Sequence, residues 1–73
     1  MASVIHFSIE DHRCKIKDSE NIGRMVLAIC HLEGINPNHT LFKVLRTGQI
    51  ISLFDCGKRA DSFLQPGDKV SIL

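Results

Sequence analysis

The sequence has no tryptophan and no tyrosine, so its aromatic groups are four phenylalanines. It has two prolines and shows no internal repeat, linker or low-complexity segment, so residues 1–73 read as a single domain. Neither Cys-x-x-Cys nor His-x-x-x-His occurs. A structural zinc site takes about four ligands, usually as closely spaced pairs, so no metal is expected. Cys30 and His31 are adjacent, and on a helix their side chains diverge by about 100°. No triad, carboxylate pair or phosphate loop is present, so neither enzymatic activity nor a cofactor is expected. Every apolar run is far shorter than the roughly 18 to 20 residues of a membrane span, and membrane insertion is not expected. Alternation of apolar and polar residues begins at Val4, in place of a charged-then-apolar leader. The three cysteines, Cys14, Cys30 and Cys56, are irregularly spaced and cannot all pair with one another. They read as reduced thiols of a cytoplasmic protein. Nine basic and eight acidic residues leave a net charge of +1, which excludes a global attraction to nucleic acid or anionic lipid.

What is present starts with the stretch from Asp18 to Gly34. Ile22, Met25, Val26, Ile29 and Cys30 recur at the spacing of one helical face. Asp18 or Ser19 is the expected cap, since a short side-chain oxygen can meet the free N–H groups of the first turn. Gly34 offers the left-handed closing residue, with Ile35 folding back on the last turn. Leu27 and Leu32 lie off the stripe and predict a wide buried face. A chain of this size buries only a little over ~60% of its unfolded surface, so most apolar residues must serve the core.

The remaining segments read as strands. In Val4–Ile9 the residues Ile5, Phe7 and Ile9 share one face, with Val4, His6 and Ser8 on the other. Glu10-Asp11-His12 is a polar turn without the glycine of the tightest hairpins. Arg13–Lys17 alternates again, placing Cys14 and Ile16 on one face and its cations on the other. Asn36-Pro37-Asn38 is turn chemistry, Thr40–Arg46 a strand, Thr47-Gly48 a turn, and Gln49–Phe54 a short antiparallel return. Asp55–Ser62 is polar and aperiodic, and reads as a loop with room for one helical turn. Gln65-Pro66-Gly67-Asp68 fits a type II turn that launches Lys69–Leu73. Phe7, Phe42, Phe54 and Phe63 all read as core or loop-core residues. The pattern predicts an α+β layer: a mixed sheet of roughly four or five strands with one helix across one face. The first and last strands would run parallel in its middle, joined by the helical crossover.

This order resembles the ubiquitin-like β-grasp. The residues that carry the resemblance are Glu33-Gly34-Ile35 with Pro37, the strands around Thr47-Gly48-Gln49, and the ending Gly67-Asp68-Lys69-Val70-Ser71-Ile72-Leu73. Within that superfamily the chain looks most like the small ubiquitin-like accessory proteins of bacterial type VII secretion systems, which are similar in length and in a Gly-Asp strand ending in Ile-Leu or Leu-Leu. It also resembles the sulfur carriers of thiamin and molybdopterin synthesis, conjugated ubiquitin-like modifiers, and the TGS domains of translation proteins. Carriers and modifiers need a tail ending in Gly-Gly, and the sequence here ends on Ile72-Leu73, so no carboxyl-terminal activation is expected. In ubiquitin an isoleucine sits near the place Lys43 takes here, so ordinary ubiquitin receptors are not expected to bind.

Strand parity directs attention to the sheet face away from the helix. His6, Arg13, Lys15, Lys17, Lys43, Lys69 and Ser71 share it, and Leu41, Leu45 and Leu73 could edge it with apolar surface. Such a face reads either as a solvated surface or as a docking site for an acidic protein partner, with apolar anchors for affinity and cations for orientation. The expected function is a non-conjugated ubiquitin-like adaptor, in a secretion machine if the closest resemblance holds. The alternatives are a sulfur-carrier-like protein and a TGS-like module on RNA or the ribosome. Nucleic acid is disfavoured by the lack of an aromatic on this face, because single-strand binders stack bases on rings. Cys56, beside Gly57, Lys58 and Arg59, reads as an ordinary loop cysteine.

Overall fold

The computed structural model describes residues 3–73. Strand β1, Val4–Ile9, turns through Glu10 and Asp11 into β2, His12–Lys17, with Ile9 opposite His12 and Val4 opposite Lys17. The turn is tighter than its composition predicts, because Glu10 takes the left-handed backbone (φ 51°) that glycine usually supplies. Its position is held by the last strand, which pairs with β1 on the side away from β2. The Glu10 N–H donates to the Val70 carbonyl at 3.1 Å, and its side chain accepts from the Ile72 N–H at 2.8 Å.

Helix α1 spans Ile22–Glu33 and is capped by Asn21, whose side chain accepts from the Gly23 N–H. The expected caps, Asp18 and Ser19, are not used. Asp18 still belongs to the hairpin, its N–H donating to the Ser3 carbonyl at 2.8 Å, and a turn closed by Glu20 N–H on the Lys17 carbonyl follows at 3.0 Å. The chain is therefore free to become helical only from Asn21. Ile22, Met25, Val26, Ile29 and Cys30 are buried as the periodicity requires, whereas Leu27 and Leu32 are exposed, so the buried face is one stripe and not wide. Gly34 closes the helix at φ 68°, and the Ile35 N–H returns to the Cys30 carbonyl at 2.9 Å.

Beyond the helix, Pro37–His39 forms a 3-10 turn capped by Asn36. Strand β3 is Phe42–Val44, shorter than Thr40–Arg46, because the Thr40 hydroxyl turns back to the Asn36 carbonyl at 2.7 Å and Leu45–Thr47 already bends toward Gly48. Strand β4 is only Ile50–Ile51. Alternation ends there because Ser52 and Asp55 form a capping box around a 3-10 turn, Leu53–Asp55. That turn gives the core contact to Leu53 and leaves Phe54 96% exposed, against the core position expected of it. The Asp55–Ser62 loop is ordered by a third 3-10 turn, Ala60–Ser62, and its Ala60 is fully buried.

The final strand, β5, is Lys69–Ile72, entered through a turn in which Gly67 has φ 87° and the Asp68 N–H meets the Gln65 carbonyl at 3.1 Å. The sheet order is β2-β1-β5-β3-β4, with β1 and β5 parallel and every other pair antiparallel. Helix α1 covers one face, closing a core of Ile5, Phe7, Ile9, Phe42, Val44, Ile51 and Val70 with the helical stripe, Phe63 and Leu64. Among the described residues no helix is long and apolar enough to cross a membrane.

Candidate docking face

The strand registers assemble the uncovered face row by row. Ser8 lies between Arg13 of β2 and Lys69 of β5, and Leu45 continues that row, its N–H donating to the Lys69 carbonyl at 2.9 Å. Lys43 lies between Ser71 of β5 and Ile50 of β4. His6 pairs with Lys15, and Val4 with Lys17. Leu41 and Leu73 meet where the Leu73 N–H donates to the Leu41 carbonyl at 2.9 Å. All the residues that parity singled out therefore share one surface. His6, Arg13, Lys15, Lys17, Leu41, Lys43, Leu45, Lys69 and Leu73 are exposed, and Ser71 is half-buried.

Two further apolar residues are exposed on the same face: Val4, which parity already put beside His6 and Ser8, and Ile50, which the sequence pattern did not single out. Ile50 was detectable: Ile51 is the buried partner in a two-residue strand, so its neighbour must point out. With Leu41, Leu45 and Leu73, Ile50 makes an apolar margin around Lys43 at the β3–β4 end of the sheet.

The charge distribution is sharper than the composition suggests. The strands themselves contain no aspartate or glutamate. Four carboxylates elsewhere are tied to other cations: Asp68 to Arg46 at 2.7 Å, Asp55 to Lys58 at 3.0 Å, Asp61 to Arg59 at 2.9 Å and Glu20 to Arg24 at 3.9 Å. Glu33 meets His12 at 2.7 Å. Hydrogen bonds from Arg46, from the Ser52 backbone and from Arg59 hold the carboxyls of Asp68, Asp55 and Asp61, respectively, below the ordinary range. Among the described residues, Arg13, Lys15, Lys17, Lys43 and Lys69 form no ion pair. A nearly neutral chain thus presents one sheet face whose cations have no carboxylate between them.

The thiols lie elsewhere. Cys30 is buried in the core, and Cys14 is half-buried against it, its pKa pushed up mainly by burial. Cys56 is exposed, and its sulfur accepts from Asn21 Nδ2 at 3.8 Å. No group of His, Cys, Asp and Glu side chains among the described residues is placed to hold a metal ion.

No family model matches this sequence, and no curated protein matches it. Its structure is similar to that of ubiquitin from Caldiarchaeum subterraneum, with a TM-score of 0.57, 12% identity, and coverage of 99% of this chain and 91% of that one. At that identity the likeness is one of fold, and the fold is the ubiquitin-like β-grasp: an α+β arrangement of one helix over a five-stranded mixed sheet.

Proposed function

We propose that this chain is a ubiquitin-like protein-binding module, not an enzyme, whose open sheet face docks an acidic protein partner. The observation that carries the reading is the segregation of charge. Asp68, Asp55, Asp61 and Glu20 pair with cations outside the strands, while Arg13, Lys15, Lys17, Lys43 and Lys69 stand together on the sheet without an ion-pair partner among the described residues. Exposed Leu41, Leu45, Ile50 and Leu73 border Lys43, which adds the apolar anchors that convert steering into affinity. An adaptor role of this kind is what the resemblance to secretion accessories implies, and it requires no chemistry of the chain's own.

The test compares wild type with the triple variant Lys15→Glu, Lys43→Glu, Lys69→Glu. These positions lie on three strands and are exposed, so circular dichroism should show an unchanged fold. Quantitative cross-linking in extracts of the native host should recover an acidic protein with wild type and lose it with the variant. Raising salt should weaken the wild-type interaction, chiefly through slower association. Identical recovery by both proteins would reduce the face to a solvated surface, and recovery of RNA in place of protein would favour the nucleic-acid alternative.

A further inference from the structure

Strands β3 and β4 separate after the pair formed by Phe42 and Ile51. On one side the chain leads back through Thr40, whose hydroxyl donates to the Asn36 carbonyl, into the Pro37–His39 turn. On the other it enters the Leu53–Asp55 turn, where the Phe54 N–H donates to Ser52 Oγ at 3.2 Å and the Ser52 N–H to the Asp55 carboxylate at 2.9 Å. An open cleft of about 540 Å³ remains between the two turns. Thr40 is buried and Leu53 packs against the core, so they form its floor, while Pro37, Asn38 and Phe54 stand at its rim.

Singly exposed apolar residues are ordinary on a protein surface, and Leu27 and Leu32 on α1 call for no partner on that ground. Phe54 differs from them in two respects. Its turn is held by the Ser52 and Asp55 side chains, so the ring is presented on a braced backbone and little chain freedom is lost on docking. It also adjoins a cleft that its own ring does not fill, because the ring stands out in solvent.

A projecting ring beside an open cleft is self-complementary under a two-fold axis, since each copy can lend its ring to the other's cleft. Charge permits that meeting. Among the described residues no lysine, arginine, aspartate or glutamate lines the cleft, and neighbouring Asp55 is paired with Lys58 at 3.0 Å. The open sheet face is the opposite case, because a second copy there would set Lys43 and Lys69 against the same cations. Two buried phenylalanine rings account for roughly 300 to 500 Å². With the rims contributed by segments 37–41 and 52–53, the contact reaches about 1,000 Å² in total, the lower end of what specific association needs. An interface of that size binds weakly, with a dissociation constant on the order of 0.1 mM.

We propose that the chain self-associates as a two-fold dimer in which Phe54 of each copy enters the other copy's cleft between segments 37–41 and 52–54. The contact uses none of Arg13, Lys15, Lys17, Lys43 and Lys69, so it goes beyond the docking-face reading and does not depend on it.

The test is sedimentation equilibrium of the full chain between about 10 μM and 1 mM, where the mass should rise from 8.2 kDa toward twice that value. In nitrogen-15 spectra, amide shifts on dilution should centre on Asn38, His39, Leu53 and Phe54. Phe54→Ser should weaken association about thirtyfold or more, as loss of a central aromatic anchor at two equivalent contacts does, with an unchanged circular dichroism spectrum. Asn38→Trp, at an exposed position on the rim, fills the cleft and should weaken association comparably. One variant keeps the open cleft and the other keeps the ring, so an equimolar mixture should associate more tightly than either alone. The Lys15→Glu, Lys43→Glu, Lys69→Glu protein should dimerise as wild type does. A single-chain mass at 1 mM would overturn the inference, and so would association that survives Phe54→Ser or a mixture no tighter than its components. Self-association lost in the triple variant and kept in Phe54→Ser would place the contact on the sheet face and overturn it as well. Loss of a host protein from cross-links of Phe54→Ser, with wild type sedimenting as one chain, would give the cleft to a different protein and overturn the dimer.

Discussion

Arg46 holds Asp68 with a two-pronged contact, Nε to Oδ1 at 2.7 Å and Nη2 to Oδ2 at 3.0 Å. Asp68 Oδ2 also accepts the Gln65 N–H at 2.8 Å, and the Asp68 carbonyl accepts the Ser8 N–H at 3.0 Å. The carboxylate therefore ties the segment after β3 to the turn that starts β5, and the carbonyl of the same residue ties that turn to the central strand. Its side chain is 4% exposed, against 42% for Arg46, so the acid is the partner that depends on the contact.

A pH dependence follows from this pair. The hydrogen bond from Arg46 is the largest cause of the lowered Asp68 pKa. The folded pKa lies below the unfolded value of about 3.9, so the contribution is full above roughly pH 4 and is lost as pH falls through the folded value. Asp55 and Asp61 shift in the same direction. Urea midpoints should fall steadily below about pH 4. Asp68→Asn should cost about 1 to 3 kcal/mol at neutral pH, the range for a lost charge-assisted hydrogen bond, and should flatten the acid limb. An acid limb as steep as that of wild type would show that Asp68 does not carry the dependence.

Phe54 and Ile51 should behave oppositely. Phe54 is 96% exposed on a turn fixed by Ser52 and Asp55, and Ile51 is fully buried. Phe54→Ser should change unfolding stability by less than about 0.5 kcal/mol. Ile51→Ala should cost about 2 to 5 kcal/mol, as large aliphatic truncations in cores do. A loss above about 2 kcal/mol on changing Phe54 would mean that the ring packs in the core after all.

These two residues also mark how far the sequence was legible. Period-two alternation in Val4–Ile9 and the helical stripe from Ile22 to Cys30 specify faces directly, so the helix, the hairpin and the membership of the outer sheet face could all be read. Alternation cannot report its own end. Gln49–Phe54 continues to look like a strand until Ser52 and Asp55 bond each other's backbones, a contact that pattern alone does not reveal. Capping failed for a similar reason: Asp18, Ser19 and Asn21 are chemically equivalent caps, and the choice was made by the Ser3–Asp18 ladder bond. Glu10 at φ 51° is likewise a tertiary choice, imposed by its two bonds to β5.

Gly23 is buried in the first turn of α1 where propensity alone would favour alanine by about 1 kcal/mol. A methyl group there would stand 2.5 Å from the Cys56 sulfur and 3.0 Å from Asn21 Oδ1. Gly23→Ala should therefore destabilise despite the gain in propensity, and Cys56→Ala should recover part of the loss when the two are combined. A double-mutant cycle in denaturant unfolding measures the coupling. If Gly23→Ala raises stability, the helix start and the Cys56 loop are not in contact as described.

Asn21 joins that loop to the helix chiefly through its side-chain oxygen, with Nδ2 making a longer contact to the Cys56 sulfur. Its Oδ1 accepts the Gly23 N–H at 2.8 Å, which is the cap, and the Gly57 N–H at 2.7 Å, which is a bond across the chain. Around it the Ile22 N–H meets the Lys58 carbonyl at 2.8 Å, and the Ala60 N–H meets the Glu20 carbonyl at 2.8 Å. Asn21→Ala removes both bonds to Oδ1 and the longer Nδ2 contact to the Cys56 sulfur, and should cost about 1 to 2 kcal/mol, the upper part of the range for lost caps. Asn21→Asp keeps the shared acceptor, places a negative charge at the positive end of the helix, and should cost less. Hydrogen exchange separates the two functions of the residue. In Asn21→Ala the amides of both Gly23 and Gly57 should exchange faster, whereas Asn21→Asp should leave both close to wild type. Faster exchange at Gly23 alone would show that the loop is held by the Lys58 and Ala60 backbone bonds without help from Asn21.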